Sequence, residues 1–335
     1  MSWRADAELW AFKQLTARGM QPVGRMLDLS IQPWSAVWRI FTDVGSRHAC
    51  GTTAGDVVLK QIAPDTPEIS TYEFCAEIAP DFIDPLLGAD RSTGRMLFRD
   101  GGPTLHEDAN VGPDSVAALV IDYAHFQQAL IGYEARAIAA GIPSWDPTTA
   151  PAELESQVQI LAAMPPSDIR RITSSQQQAL LDELNVYEVA GQILANSALP
   201  RTLDHGDLWL GNVLPPDRNG RHRFIDFGNA VWTHPFLSVL PLLHDCYQRW
   251  APRDSPFTLD RADLRLVSSA YLGEWFDYAS PRECESAFAA AARLAPLLRS
   301  RAAIENFQHA GRNDADELGP TPWTWLTLSA VPHPG

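Results

Sequence analysis

The sequence predicts an α+β fold of two unequal lobes. A small antiparallel β-sheet lobe is expected over residues 1–100 and a large, mainly helical lobe over residues 101–335. Three observations predict it: strand-like runs are concentrated before Pro103, long apolar-periodic stretches follow it, and one short β segment interrupts the helices at residues 202–230. We expect the hinge between the lobes at residues 98–102.

The small lobe begins with an N-terminal helix, since apolar residues recur at helical spacing until Gly19. Alternating apolar runs predict strands, a Pro-terminated stretch predicts one more helix, and a glycine-rich segment predicts a polar loop. In chain order the expected elements are helix 5–18, strands 36–41 and 56–62 with the polar loop 45–55 between them, helix 68–79, and strands near 85–87 and 95–98.

The large lobe is predicted from longer helical patterns that end at glycine or proline. In the β segment, the dipeptide Asn219-Gly220 indicates a hairpin turn. The expected helices are 115–140, 151–164, 174–198, 235–249, 260–278 and 281–307. The tail from Gly319, rich in proline and tryptophan, is expected to pack as an irregular strap.

Composition excludes several classes of protein. The 335 residues carry 41 acidic and 26 basic side chains, and a net charge of −15 argues against nonspecific nucleic-acid binding. No apolar run is long enough to span a membrane, and acidic residues stand where a signal peptide would be apolar. Four widely separated cysteines form neither a metal motif nor a disulfide framework. We therefore expect a cytoplasmic protein with no nucleic-acid or membrane partner.

One stretch of the β segment carries a pattern typical of phosphoryl transfer. It reads His205-Gly-Asp207-Leu-x-x-x-Asn212, and Asp226-Phe-Gly follows fourteen residues later. Phosphoryl transfer needs a carboxylate beside the attacking hydroxyl and metal ligands that neutralise phosphate charge. Mg²⁺ prefers oxygen donors, which an Asp carboxylate and an Asn carbonyl supply. The order and spacing match the kinase template at each functional position.

Lys60 is an independent indication. The chain has 26 basic residues, of which only Lys13 and Lys60 are lysines, and Lys60 ends an apolar strand of the small lobe. A kinase-like site needs a cation there for the nucleotide phosphates. Its expected partner is a glutamate on the following helix, Glu68, Glu73 or Glu77, with Glu68 preferred and Glu73 second.

These motifs resemble those of the aminoglycoside phosphotransferase and choline-kinase-like family of small-molecule kinases. The resemblance covers roughly residues 30–245, including Pro33-Trp-Ser, Val58-Leu-Lys, residues 96–102 and His234-Pro-Phe. It implies a protein-kinase-like bilobal fold that binds Mg²⁺ and ATP, or alternatively GTP, between the lobes.

The resemblance also implies roles for individual residues. Asp207 is the expected catalytic base, and Asn212 and Asp226 are the expected metal ligands. Lys60 is expected to contact phosphate, while backbone groups from Phe98 to Asp100 hold the adenine.

The acceptor stays open at this stage. The family implies a polar or cationic small molecule, such as an aminoglycoside or another cationic antibiotic. The alternatives are a sugar, amino alcohol or fructosamine-type metabolite, or a nucleotide-binding pseudoenzyme. A regulated protein kinase is disfavoured because no glycine-rich phosphate loop precedes Lys60 and no Ala-Pro-Glu follows Asp226. The residues considered for an acceptor pocket are Asp245, Glu274, Asp277, Trp209, Trp232, Trp250 and Trp275.

Overall fold

The computed structural model describes residues 3–43, 55–64, 66–84, 86–252, 255, 257–308 and 322–329. Its strands are β1 (Pro22–Ile31), β2 (Ser35–Thr42), β3 (Val57–Ile62), β4 (Leu86–Asp90), β5 (Arg95–Arg99), β6 (Thr202–Asp204), β7 (Val213–Leu214), β8 (Arg223–Phe224) and β9 (Val231–Thr233). Its helices are α1 (Trp3–Thr16), α2 (Pro67–Ile78), α3 (Pro113–Ala129), α4 (Glu134–Ala139), α5 (Ala150–Ala163), α6 (Ser174–Asp182), α7 (Leu184–Ala195), α8 (Val239–Trp250), α9 (Ala262–Gly273), α10 (Pro281–Gln308) and α11 (Pro322–Ser329). The loop predicted over residues 45–55 lies, apart from Gly55, outside the described residues.

The five strands of the small lobe form one antiparallel sheet in the order β1-β2-β3-β5-β4. Side chains alternate between its faces. Trp38, Leu59 and Leu97 share a buried cluster with Ala11 and Leu15 of α1. The same alternation turns Lys60 toward the face that α2 covers, where the site forms.

Strand β1 was not predicted as a separate strand. It is the edge strand, most of its residues are exposed, and its pairing with β2 is interrupted by two register shifts. A strand with little burial on either face has no reason to alternate apolar and polar residues, so its sequence carries no period-two signal.

Two helices predicted as continuous are interrupted. The helix expected over residues 115–140 is divided into α3 and α4, because the chain turns after Ala129 and Gly132 adopts a φ of 88°. The helix expected over residues 174–198 is divided at Glu183 into α6 and α7. Apolar periodicity continues across both breaks, which hides them in the sequence.

The tail also differs from the prediction. Part of the segment expected as an irregular strap is helix α11, and its Leu326 is fully buried in the main core. That core also contains Met96 and Phe98 of the small lobe together with most apolar side chains of the large lobe. The two lobes therefore share one apolar core beneath the sheet.

Two short antiparallel pairs, β6–β9 and β7–β8, lie within the large lobe. They hold the loop between β6 and β7 beside the loop between β8 and β9. These are the two loops that contain the predicted catalytic and metal-binding residues. None of the helices in the described part of the chain combines the length and the apolar character needed to cross a membrane.

Candidate active site

A buried aspartate fixes the start of the predicted catalytic loop, which joins β6 to β7. Asp204 at the end of β6 accepts hydrogen bonds from the backbone N–H of Gly206 at 3.0 Å, from the backbone N–H of Ser238 at 2.8 Å and from the Ser238 hydroxyl. Burial raises the pKa of Asp204 to about 7, and these donors oppose that rise. Three donors around one carboxylate tie the loop rigidly to the segment before α8.

Only glycine fits at position 206. Its φ of 73° lies in the left-handed region, and a Cβ there would lie 2.0 Å from the backbone oxygen of Asn229. The loop after β6 and the loop after β8 therefore approach each other through Gly206. This contact explains the glycine of the His205-Gly206-Asp207 motif. Regulated protein kinases have arginine at the middle position of this motif.

His205 joins the same two loops from within the core. Its backbone N–H donates to the Tyr123 hydroxyl at 3.0 Å, its ring Nε2 lies 2.9 Å from the Ile225 carbonyl oxygen, and the ring packs on Phe227. Burial lowers the pKa of His205 to about 4, so the ring is neutral near pH 7 and Nε2 carries the donated proton. The histidine of the motif thus holds the two loops in register.

Asp207 and Asn212 are held together by the backbone of their own loop. The Asn212 side-chain amide donates to the backbone oxygen of Asp207 at 2.8 Å, and the backbone oxygen of Asn212 accepts from Ile225 N–H at 3.0 Å. Burial raises the pKa of the Asp207 carboxyl, while Arg299 opposes the rise. Asp207 remains partly accessible, with 23% of its side chain exposed.

Asp226 lies in a strained backbone conformation at the start of the next turn. Its φ of 66° makes it the one described non-glycine residue with positive φ, and its N–H donates to the Tyr72 hydroxyl on α2 at 3.0 Å. Such strain persists only where the surroundings enforce it, which is common at functional sites. Partial burial opposes its ionisation, but Lys60 outweighs this effect and holds the pKa of Asp226 below its usual value.

Lys60 binds its preferred predicted partner, Glu68, and also Asp226, which was predicted as a metal ligand. Its Nζ lies 2.7 Å from Glu68 Oε1 and 2.8 Å from Asp226 Oδ1. The preferred pairing with Glu68 is thus observed, whereas Glu73 pairs with Arg91 on the surface. Burial disfavours the charged ammonium, but the two carboxylates raise the pKa of Lys60 above its ordinary value.

Glu68 itself lies deep in the fold. Burial raises its pKa to about 7 against the opposing charge of Lys60. The Glu68 carboxylate also approaches the backbone at Gly228, where a Cβ would lie 3.3 Å from Oε2. Helix α2, strand β3 and the turn after β8 therefore meet around one ammonium group.

The two residues expected near the adenine have different surroundings. Phe98 on β5 is buried against the Tyr72 ring, with centroids 4.9 Å apart. The Asp100 carboxylate pairs with Arg39 at 2.5 Å and accepts from Gly102 N–H, and its own N–H donates to the Asp56 carbonyl. These Asp100 groups already serve the fold, so its contact with a nucleotide remains a prediction.

The donor set at Asn212 and Asp226 suits Mg²⁺. The Asn212 amide nitrogen is committed to Asp207, which leaves its carbonyl oxygen as the atom that can bind a metal. Within the described ranges no group of three or more His, Cys, Asp or Glu side chains could hold a metal ion. Mg²⁺ does not need such a cage, because it takes one or two protein oxygens together with water and phosphate oxygens.

Most residues considered for the acceptor pocket lie in the core, have other partners or are exposed at the surface. Trp232 and Trp275 are fully buried core residues, and Glu274 pairs with His125 at 2.8 Å. Trp250 donates its indole N–H to the Val111 carbonyl. Asp277 is an exposed residue after α9. Periodicity cannot separate a core tryptophan from one in a cleft, so the sequence could not show that Trp232 and Trp275 belong to the core.

Asp245 and Trp209 do lie at the catalytic loop. Asp245 on α8 accepts from the Leu210 N–H at 3.1 Å. The Trp209 ring lies against His106, with centroids 5.0 Å apart, and covers Gly211, where a Cβ would be 2.3 Å from the indole. Both residues support the loop directly.

Arg299 was not among the site residues predicted from the sequence. This residue of α10 pairs with Asp207, Nη1 to Oδ1, at 2.7 Å. It stands 92 positions after Asp207 in the chain, in a helix whose pattern indicates only packing. No local motif could have identified it.

Comparison with known proteins identifies the family. The model of the phosphotransferase enzyme family matches residues 95–284, more than half of the chain. No curated protein matches the chain.

Several solved structures share the fold. An ethanolamine kinase of Plasmodium vivax has a TM-score of 0.61 at 13% identity, over 94% of this chain and 82% of that one. A macrolide 2′-phosphotransferase type I has a TM-score of 0.57 at 14% identity, over 96% and 95%. A spectinomycin phosphotransferase in complex with ADP and spectinomycin has a TM-score of 0.58 at 9% identity, over 97% and 94%. With this protein-kinase-like α+β fold and the family match, the chain belongs to the phosphotransferase enzyme family.

Proposed function

We propose that the protein transfers the γ-phosphoryl group of Mg·ATP to a hydroxyl group of a small molecule. The observation that carries the proposal is the ion cluster in which Lys60 contacts both Glu68 and Asp226. This cluster adjoins the loop that holds Asp207 and Asn212 through the hydrogen bond from Ile225 to Asn212. A cation for phosphate, two metal ligands and a base are the parts that phosphoryl transfer requires.

Lys60 binds phosphate oxygens in this proposal. An ammonium group has three donors, and the two carboxylates occupy two of them, so one remains for a phosphate oxygen. Glu68 directs the ammonium from the helix side. Burial of the pair makes its attraction stronger than that of a surface ion pair.

Asn212 and Asp226 hold the metal. Bound Mg²⁺ neutralises charge that develops on the phosphate oxygens during transfer. The strained backbone of Asp226, fixed by Tyr72, directs its carboxylate toward Lys60 and the cleft. The partly exposed side chain, 45% accessible, leaves room for a ligand on its other side.

Asp207 accepts the proton of the attacking hydroxyl and orients its oxygen for in-line attack. The carboxylate is partly accessible, and its loop is held by Asp204, His205 and Asn212. A base that is held in place lowers the entropic cost of reaching the reactive geometry. Intact Lys60, Asp207, Asn212 and Asp226 also argue against a pseudoenzyme.

The acceptor is proposed to be polar or cationic, with an aminoglycoside or another cationic antibiotic as the first candidate. The net charge of −15 favours capture of a cation through long-range attraction. Asp245 beside the catalytic loop supplies negative charge near the site. An amino alcohol is the second candidate, because the fold is shared with an ethanolamine kinase.

A nucleotide-consumption screen tests the proposal. Mg·ATP and Mg·GTP are offered with aminoglycosides, macrolides, spectinomycin, ethanolamine, choline, sugars and fructosamines. The matched blank is Asp207→Asn, which keeps the shape of the site and lacks the charged base. We expect at least one acceptor to raise consumption well above the blank. If none does, while Mg·ATP still binds, the protein is a nucleotide-binding pseudoenzyme.

A further inference from the structure

An arginine from the C-terminal part of the chain contacts the proposed base. Arg299 Nη1 lies 2.7 Å from Asp207 Oδ1 and donates to the Gly206 carbonyl oxygen at 3.1 Å. The two side chains are mostly buried, at 17% and 23% exposure. One guanidinium therefore fixes both the carboxylate of the base and the peptide that precedes it.

The arginine is held from its other side by helix α11. The guanidinium carbon lies 5.2 Å from the centroid of the Trp325 ring, within cation–π range. Trp325 in turn meets the ring of His244 on α8, with centroids 5.8 Å apart. Helices α8, α10 and α11 thus form a continuous set of contacts that ends at Asp207.

The catalytic loop supplies no positive charge of its own. The four residues between Asp207 and Asn212 are leucine, tryptophan, leucine and glycine. The positive charge at the base comes instead from α10. An arginine fits this place better than a lysine, because its planar guanidinium can lie over the Trp325 ring while Nη1 donates to Asp207 and to the Gly206 carbonyl.

We propose that Arg299 is a positioning residue for Asp207 and that Trp325 fixes Arg299, which makes helix α11 part of the catalytic apparatus. This inference rests on the proposed function, in which Asp207 is the base. Its physical basis is geometric: a carboxylate that is displaced by about 1 Å can lose roughly a hundredfold in rate.

Four single variants test the proposal, assayed with an acceptor found in the screen. We expect Arg299→Gln to lower kcat by roughly thirtyfold to a hundredfold while the Kd for Mg·ATP, measured by calorimetry, changes less than about twofold. Arg299→Lys should retain an intermediate rate, and Trp325→Leu should lose roughly fivefold to tenfold. The matched control is Arg301→Gln on the same helix, which faces Glu153 at 4.0 Å and should keep the normal rate.

A double variant separates positioning from general support of the fold. If Arg299 acts through Asp207, then Asp207→Asn combined with Arg299→Gln should be no slower than Asp207→Asn alone. Losses that multiply would overturn the proposal, as would equal losses in Arg299→Gln and Arg301→Gln. A faster Arg299→Gln would also overturn it, because the ion pair would then be inhibitory.

Thermal unfolding distinguishes this inference from the proposed function. Asp207→Asn and Arg299→Gln each remove the same ion pair. Together they should therefore lower the Tm by less than the sum of their separate effects. Turnover without such coupling overturns the positioning role alone. Coupling without turnover of any acceptor overturns the proposed function and the positioning role with it.

Discussion

The two sides of the proposed cleft are built in different ways. On the nucleotide side, Lys60, Glu68 and Asp226 come from one sheet, one helix and one turn, and their charged groups are in direct contact. On the acceptor side, Asp207 meets Arg299, which is held by Trp325 from the last described helix. One side relies on short motifs, the other on helices that follow nearly a hundred residues later.

This difference separates the common chemistry from the choice of acceptor. The nucleotide side has to bind the same phosphates whatever the acceptor, so its residues can stay within compact motifs. The acceptor side can vary through its helices without disturbing those motifs. We therefore expect substitutions on the acceptor side to leave the Kd for Mg·ATP nearly unchanged, and substitution of the proposed metal ligand Asp226 to weaken it.

The largest effect is expected at the proposed base on the acceptor side. Asp207→Asn keeps the size of the side chain but lacks the charged proton acceptor, so kcat should fall by roughly a hundredfold or more. The Kd for Mg·ATP should stay nearly unchanged in calorimetric titration. Asp226→Asn should instead weaken Mg·ATP binding, with partial recovery at high Mg²⁺.

These two variants test whether the two sides of the proposed cleft act separately. If both lose nucleotide affinity equally, Asp207 and Asp226 serve one structural purpose and the two sides are not separate. Normal turnover in Asp207→Asn would show that another group is the base.

The second effect concerns the ammonium on the nucleotide side. Lys60→Met removes the charge but keeps the length of the side chain, and we expect kcat to fall on the order of a hundredfold. Lys13→Met is the matched control, since Lys13 is the other lysine and is exposed on α1. The kcat of both variants is measured from steady-state rates at saturating acceptor.

The partner of Lys60 can be tested in the same assay. Glu68→Gln should reproduce much of the Lys60→Met defect, because Glu68 directs the ammonium at 2.7 Å. Glu73→Gln should have no such effect, since Glu73 pairs with Arg91 on the surface. An unchanged rate in Glu68→Gln would mean that Asp226 alone positions the ammonium.

The contrast between the two sides also explains what the sequence could predict. Asp207, Asn212 and Asp226 were predictable because their spacing within two loops reflects the chemistry itself. Lys60 and Glu68 were predictable because a strand followed by a helix places them close together. The contact between Lys60 and Glu68 is now observed, whereas the catalytic, metal-binding and nucleotide-binding roles of these residues, like those of Phe98 and Asp100, stay predictions.

Tertiary packing set the limits of the sequence analysis. Trp232 and Trp275 resemble possible pocket residues in the sequence but lie in the core. Arg299 resembles an ordinary surface arginine until helix α10 packs beside the catalytic loop. The break at Gly132 has the same origin, since apolar periodicity does not show where a helix must turn.

A smaller effect, on stability, is expected at Gly206, where the two loops approach each other. Gly206→Ala adds a Cβ 2.0 Å from the Asn229 oxygen at a φ of 73°, so both strain and overlap oppose folding. Gly220→Ala has a similar φ of 79° with no atom within 4 Å. In urea unfolding, we expect Gly220→Ala to cost about 1 kcal/mol and Gly206→Ala about 2 kcal/mol more.

Equal losses in the two glycine variants would show that the loops separate easily to admit the extra carbon. In that case the rigidity argued for Asp207 from its neighbours would not hold. A loss confined to Gly206→Ala would confirm that the two loops are locked together at this point.

The smallest effect is expected from Trp209, on the acceptor side. Its ring covers Gly211 and lies against His106 while part of it stays accessible, so it can offer an apolar face to an acceptor. We expect Trp209→Leu to raise the KM for the acceptor roughly threefold to tenfold with little change in kcat or in Mg·ATP affinity. Trp250→Leu is the control, because that indole is bound to Val111.

Which kinetic constant changes in Trp209→Leu decides between two roles of this side chain. A change in KM alone means that the ring contacts the acceptor and belongs to the variable side of the cleft. A fall in kcat with KM unchanged would mean that the ring holds the loop over Gly211 and thereby places Asp207. Trp209 would then act with Arg299 on the base, and the acceptor would have to be recognised by the helices alone.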